Sequence, residues 1–164
     1  MQTIKVNIDY KGKPKDFAFK AESSILDDQR IKSEMAFLSG GLDKMLEFDN
    51  IMLEAYSKHI EVNREAFGEE EARRIEKEIK EKPLEELTEE EIQALRRYRS
   101  NRHYLKYIQM EQEKTKLYSY SWLKVMCISP KDFPFFEEEE PFLDNLLKEV
   151  EKELAFFRKE KEKS

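Results

Sequence analysis

The residues best suited to chemistry in this sequence form a basic, tyrosine-rich cluster between positions 96 and 106. No Asp or Glu occurs from Gln93 to Met110. Guanidinium groups bind phosphates and tyrosine rings stack on bases, so this composition is compatible with nucleic-acid binding. The cations are Arg96, Arg97, Arg99, Arg102 and Lys106, with His103 beside them, and the interleaved rings are Tyr98, Tyr104 and Tyr107.

Two observations weigh against nucleic acid as the partner of this cluster. The chain carries a net charge of −6, which opposes general attraction to a polyanion. Helical spacing would also spread the cations around the whole helix. An acidic protein surface, such as Glu137–Glu140 of this or another chain, is an alternative partner. Ordinary solvated arginines beside half-buried tyrosines are equally compatible with the sequence, and these alternatives stay open.

A second group of candidate residues is aromatic and lies towards the carboxyl-terminal third. Residues 118–128 are the most apolar part of a long helical segment, and they lead into a Pro-Phe segment. Buried core is the ordinary use of such residues. If partly exposed, they would form the kind of aromatic anchor that carries binding energy at interfaces. The candidate partner-binding residues are Tyr118, Trp122, Phe133, Phe135 and Phe136.

No combination of residues suggests catalysis or a metal site. His59 and His103 each lack a second ligand three or four residues away, whereas metal sites need several convergent ligands. Cys127 is the only cysteine, so no disulfide within the chain is expected, and a buried small hydrophobic role fits it. Gly40-Gly41 lacks the Lys-Ser/Thr context of a phosphate loop. We therefore predict a protein without enzymatic activity, metal or cofactor.

The amino terminus predicts a β-hairpin. Ile4, Val6 and Ile8 alternate with polar residues, which is the period of a half-buried strand. Lys11–Lys15 is predicted to form a turn, and the alternation of apolar and polar residues resumes at Phe17. Because two strands alone are marginal in water, the apolar face should rest on helices or join another sheet.

Helices are predicted for most of the remaining chain. Ser23 or Ser24 can cap a first helix that ends at Gly40-Gly41. Apolar residues spaced by three and four predict a second helix from Leu42 to Phe67. Residues 69–86 contain few apolar groups, and we expect a lightly attached helix and connector there.

The longest predicted helix runs from Thr88 to Cys127, with a bend or exposure expected in its middle. Thr88 and Glu91 have the spacing of a capping box, and Pro130 ends the segment. Residues 131–141 should form an ordered loop with its rings turned into the core. A final helix should start at Pro141.

These elements predict a mainly α protein with a small N-terminal β-hairpin, a helical bundle built on one long central helix. A single domain, 1–164, would comprise a hairpin arm (1–20), a helical body (23–158) and a frayed charged tail (159–164). Charged residues make up 40% and hydrophobic ones 39% of the sequence. With no signal-peptide pattern and no run of about eighteen apolar residues, we expect a cytoplasmic protein without a membrane span, in the host cell if viral.

The order of these features resembles the tail assembly chaperones of long-tailed bacteriophages. The residues that carry the resemblance are the Trp-Leu-Lys-Val-Met-Cys-Ile-Ser-Pro segment (122–130), the acidic-aromatic loop after it, and the final Leu-Ala-Phe-Phe-Arg (154–158). The hairpin and the Gly-Gly break contribute to the layout. The family consists of small, mostly helical proteins.

The resemblance implies a non-enzymatic chaperone or scaffold. Such a protein binds the aggregation-prone tape measure protein and recruits tail tube subunits during tail assembly, and a homo-oligomer is expected. The competing hypothesis is a small phage or bacterial regulator that binds nucleic acid or polymerase through the basic, tyrosine-rich helix.

Overall fold

The β-hairpin predicted at the amino terminus is present in the computed structural model, which describes residues 1–163. Strand β1 (Thr3–Tyr10) pairs antiparallel with strand β2 (Lys13–Lys20). The turn is shorter than the sequence suggested, since only Lys11 and Gly12 connect the strands. Their φ angles are 53° and 83°, and positive values at both positions characterise the tight turn that suits the twist of a hairpin.

A short third strand completes the sheet and was not predicted. Strand β3 (Cys127–Ser129) pairs antiparallel with β2, which therefore lies in the middle of the order β1-β2-β3. One face of the sheet is buried, and Phe17 and Phe19 are 1% and 0% exposed. The expectation that the hairpin would need another strand or helices to cover it is confirmed.

Helices make up 72% of the structure, so the mainly α prediction is confirmed. Helix α1 (Ile25–Leu38) begins at Ser24, whose hydroxyl accepts from the backbone N–H of Asp27 while the Asp27 carboxylate accepts from the Ser24 N–H. Lys20 donates to the same carboxylate at 2.9 Å. These backbone and lysine contacts lower the pKa of Asp27.

Helix α2 (Leu42–Phe67) follows as predicted. The segment after it was expected to be a lightly attached helix. Instead, α3 (Glu69–Arg74) continues into a π-helical turn (Ile75–Ile79). Ile75 and Ile79 are 0% and 1% exposed and pack with Tyr98. The prediction of a weakly packed helix here was wrong, because two isoleucines on one face suffice to anchor it.

The predicted long central helix is two helices. α4 (Glu89–Arg99) begins at Thr88 with the predicted capping box to Glu91, and α5 (Arg102–Met126) follows after a break. Asn101 causes the new start, since its Oδ1 accepts from the backbone N–H of Tyr104 at 2.9 Å. The break lies in the middle of the segment, where a bend was expected.

The carboxyl-terminal part begins as predicted and ends differently. A 3₁₀ turn (Phe135–Glu137) precedes helix α6 (Glu140–Lys163). The predicted frayed tail from residue 159 is helical as far as Lys163, and Lys161 pairs with Glu22. Ser164 lies outside the described residues.

The chain forms two compact units. The sheet unit comprises residues 1–42 and the chain from Thr115 onward, and its core is made by the sheet, the end of α5 and α6. The helical unit comprises Asp43–Lys114. The single domain of the sequence analysis stays a prediction. Among the described residues, no helix has the length and hydropathy that crossing a bilayer would need.

Candidate functional site

An open cleft in the sheet unit, which we call the aromatic cleft, brings together the three phenylalanines of the 131–137 loop. Its volume is about 740 Å³, within the range of ligand-binding pockets. One wall is the loop itself and the other is α1. The lining includes Phe133, Phe135 and Phe136, with Val125 and Cys127 from the end of α5 and β3, and Arg30, Ser33 and Glu34 from α1.

Two of the three rings are anchored in the core. Phe135 is 1% exposed, and its ring centroid lies 4.8 Å from that of Phe133. Phe133 in turn meets Phe17 edge to face at 5.1 Å. Since Pro134 separates the two loop rings, the loop is held on both sides of the proline, as the predicted ordered loop requires.

Phe136 is partly buried, as Phe133 is, but unlike the other two rings it does not pack with the core cluster that residues 1–163 form in the sheet unit. The Lys124 ammonium lies 5.0 Å from its ring centroid and also pairs with Glu34 of α1 at 2.9 Å. Lys124 therefore bridges the two walls of the aromatic cleft. A partly exposed aromatic ring beside a cation and a carboxylate offers apolar contact and charge recognition together.

The other two predicted aromatic residues, Tyr118 and Trp122, line a different cleft. It has a volume of about 690 Å³ and also involves Phe157 and Arg158 of α6. Trp122 stacks on Phe19 with centroids 5.6 Å apart and planes 29° apart, while Tyr118 is 46% exposed. The five predicted partner-binding residues thus divide between two clefts of the sheet unit. Their role in binding stays a prediction.

The basic cluster lies in the helical unit and is divided between two helices. Arg102 and Lys106 of α5 line a cleft of about 330 Å³. The Arg97 guanidinium lies 4.8 Å from the ring centroid of Phe67. Arg96 is exposed, and Arg99 borders the side chains around His59. Within residues 1–163, none of these five cations forms an ion pair.

The tyrosines of the cluster face the interior of the helical unit. Tyr98 is 4% exposed, Tyr104 lies 4.8 Å from His59 between ring centroids, and Tyr107 lies 4.9 Å from Tyr56. Tyr98 is thereby buried, and Tyr104 and Tyr107 are partly buried against side chains of the same unit. Arg99 lines the same small cavity as Tyr98 and Tyr104, whereas Arg102 and Lys106 line a different cleft.

A buried polar network around His59, which the sequence analysis missed, holds the centre of the helical unit. His59 and Asn63 are 1% and 3% exposed. The Asn63 amide nitrogen donates to the carbonyl oxygens of His59 and Tyr98 at 3.0 and 2.9 Å. Asn101 donates to the Tyr98 carbonyl at 3.2 Å. The three polar side chains connect α2 to the α4–α5 break.

The network also fixes the protonation of His59. Its Nδ1 lies 3.1 Å from the amide nitrogen of Asn63 and 2.8 Å from that of Asn101. Both nitrogens face carbonyl groups and must be donors, so Nδ1 accepts and carries no proton. Burial lowers the pKa of His59. In the sequence, this network could have been indicated by two asparagines, Asn63 within a predicted helix and Asn101 at a possible capping position.

Other reactive groups have ordinary surroundings. Burial raises the pKa of the Cys127 thiol to about 11, which disfavours the nucleophilic thiolate. Burial also raises the pKa of the Tyr98 phenol. In residues 1–163, no group of three or more His, Cys, Asp or Glu side chains is placed to hold a metal ion.

Comparisons with known proteins identify no relative from which a function could be inferred. No family model, no curated protein and no solved structure matches this chain. Its function has to be inferred from its own residues and from the resemblance in layout.

Proposed function

We propose that this chain is a non-enzymatic assembly chaperone that binds an apolar helical segment of a tape measure protein and recruits tail tube subunits during phage tail assembly. The observation that supports it best is the aromatic cleft, an open groove of about 740 Å³ between α1 and the Phe133–Phe136 loop. The identity of the client rests on the resemblance to tail assembly chaperones.

Helix α1 extends this apolar surface beyond the aromatic cleft. Leu26 and Phe37 are 54% and 76% exposed. They lie four residues before Arg30 and four after Ser33, so the helical repeat puts them on the α1 face that lines the cleft. Large apolar side chains on one face, left in solvent by the chain's own core, are the usual mark of a protein-binding surface.

The charges around the aromatic cleft suit an amphipathic client. Arg30 and Lys131 provide positive groups on its two walls, and Asp132 and Glu137 provide negative ones. A client helix with an apolar face can bury that face against Phe136 and Phe37 while its polar flanks meet either sign of charge. Each square ångström of apolar surface removed from water contributes about 25 cal/mol.

Co-expression with a tape measure protein of a long-tailed bacteriophage, sought among the genes that neighbour this one, tests the proposal. We expect the chain to raise the soluble yield of the client and to co-purify with it. Phe37→Asp and Phe136→Asp should each reduce recovery of the client. Phe156→Asp is the matched control, because Phe156 is 62% exposed on α6 and does not line the aromatic cleft. Unchanged client solubility with no co-purification would overturn the proposal.

A regulator that binds nucleic acid or polymerase is the competing function, and one observation favours it: the cations of the basic cluster lack ion pairs within residues 1–163. Arg97→Glu and Arg102→Glu would abolish a salt-dependent gel shift if nucleic acid were the partner. The burial of Tyr98 and the packing of Tyr104 against His59 disfavour base stacking by these two rings. Absence of a gel shift at low salt would remove the nucleic-acid form of this alternative.

A further inference from the structure

Helix α2 leaves a row of apolar side chains in solvent, separate from the face that it packs into the helical unit. Leu46 and Leu53 are 50% and 60% exposed, and Ile60 is partly buried. At 3.6 residues per turn the three lie within about 40° of the helix circumference. The buried residues Ala55 and His59 lie on a different side. We call Leu46, Leu53 and Ile60 the α2 stripe.

Polar residues run along one side of the α2 stripe in a specific order. From the amino-terminal end of the helix they are Asp43, Asn50, Ser57, Glu61 and Arg64, all exposed. No hydrogen bond or ion pair of these five side chains occurs within residues 1–163. The negative Asp43 and the positive Arg64 therefore stand at opposite ends of an exposed apolar row.

We infer that the α2 stripe binds a second copy of this chain, with the two α2 helices antiparallel about a twofold axis at Leu53. Leu53 then meets its own counterpart, and Leu46 meets Ile60 of the second copy. Along the flank, Asp43 faces Arg64 of the second copy. The ion pair forms twice, because a twofold axis repeats every contact.

The flanking polar residues also determine the direction of the pairing. In the antiparallel arrangement, Asn50 faces Ser57 of the second copy, and each can hydrogen bond to the other. A parallel pair would instead set this flank against the opposite flank of the second copy, so that Asp43 and Arg64 would not meet. A self-complementary flank of this order fits a second copy better than an unrelated helix. The α2 stripe shares no residue with the aromatic cleft, so this inference does not depend on the proposed function.

Charge reversal with rescue tests the register. Sedimentation velocity of the full chain over a range of concentrations should show a monomer–dimer equilibrium. Arg64→Asp and Asp43→Arg should each raise the dimer dissociation constant about tenfold, since each replaces attraction by repulsion at two symmetric positions. The double variant Asp43→Arg with Arg64→Asp should restore the dimer. A monomeric wild-type chain, or a double variant no tighter than the single ones, would overturn the inference.

A second pair of variants tests the axis itself. Leu53→Glu should make the chain monomeric, while the control Val62→Glu should not, because Val62 is 38% exposed on another side of α2. Both positions are exposed, so circular dichroism should show unchanged helicity. If Leu53→Glu left the dimer intact, the α2 stripe would not be the self-association face. If it instead abolished client recovery, the stripe would be a client site, which would also contradict the inference.

Discussion

The sheet unit and the helical unit have cores of different composition, since within residues 1–163 only the helical unit has a buried histidine–asparagine network beside its apolar cluster. In the sheet unit the buried centre is aromatic, with Phe17, Phe19 and Phe135 all 1% exposed or less. In the helical unit, polar side chains are buried beside an apolar cluster: His59 and Asn63 are 1% and 3% exposed, and Ile75 and Ile79 are 0% and 1% exposed. The stability of the sheet unit should depend on how well side-chain volume fills its core. The stability of the helical unit should depend also on whether its buried donors and acceptors are hydrogen bonded.

This difference bears on where each unit can bind. The aromatic core of the sheet unit continues to its surface, so the rings that stabilise the loop also line the aromatic cleft. The polar network of the helical unit instead draws Tyr98 and Asn101 inwards and leaves the arginines outside. Apolar binding surface is therefore expected on the sheet unit at the aromatic cleft and on the helical unit along the α2 stripe.

Phe19→Ala should have the largest effect on stability. Its ring lies between Phe17 at 6.3 Å and Trp122 at 5.6 Å, and it is 0% exposed. The lost burial and the resulting cavity should lower the free energy of unfolding by about 3–5 kcal/mol, measured by urea denaturation. The control Phe156→Ala should change it by less than about 0.5 kcal/mol. A loss below about 1 kcal/mol for Phe19→Ala would contradict an aromatic core.

Asn63→Ala should have the next largest effect and should act in the helical unit. The substitution removes the buried amide that donates to the carbonyls of His59 and Tyr98 and leaves Asn101 as the remaining side-chain donor to Tyr98, which should lower the free energy of unfolding by about 2–3 kcal/mol. Hydrogen exchange should rise around the α4–α5 break. Glu65→Ala is the control, since Glu65 is exposed on the same helix and lies outside the α2 stripe and its polar flank. Equal effects of the two substitutions would show that the polar network does not stabilise the unit.

Mild acid should produce the smallest effect, again through His59. Burial lowers its pKa in the folded protein, while an unfolded histidine ionises near about 6.5. Its contribution to stability is therefore complete above about pH 6.5 and is lost as the pH falls below that value towards the folded pKa. Protonation would place an N–H against the donors Asn63 and Asn101.

Urea unfolding between about pH 7.5 and pH 5.5 measures this dependence. The wild-type chain should lose up to about 1.4 kcal/mol per pH unit below pH 6.5, and His59→Gln should flatten the curve. Glu76, Lys80 and Arg99 also face His59, with Glu76 opposing the two cations. The carboxylates of Asp27 and Glu91 have lowered pKa values and titrate at lower pH. Identical slopes for the wild type and His59→Gln would exclude His59 as the cause.

The parts of the fold that local patterns determine could be predicted from the sequence. Alternation in β1 and the capping residues Ser24 and Thr88 each act within a few residues, and all three predictions are confirmed. Strand β3 could not be predicted, because Cys127–Ser129 is extended only through its pairing with β2. A bend was expected in the middle of the long helix, but its position at Asn101 was not predicted, because no Pro or Gly marks the break.

The candidate site could be predicted only in part for a similar reason. The grouping of Phe133, Phe135 and Phe136 follows from their closeness in sequence, and the aromatic cleft contains all three. Trp122 was expected beside them, but the side of α5 on which it lies depends on tertiary packing, and it stacks on Phe19 instead. His59 looked isolated because its partners, Asn63 and Asn101, are uncharged amides.

The proposed role in client binding is tested most directly by hydrogen-exchange mass spectrometry of the purified complex with the tape measure protein. Binding in the aromatic cleft predicts that complex formation slows exchange in residues 26–37 and 124–137 and leaves residues 96–106 unchanged. A stable complex in which residues 96–106 were protected and the cleft segments were not would contradict the account.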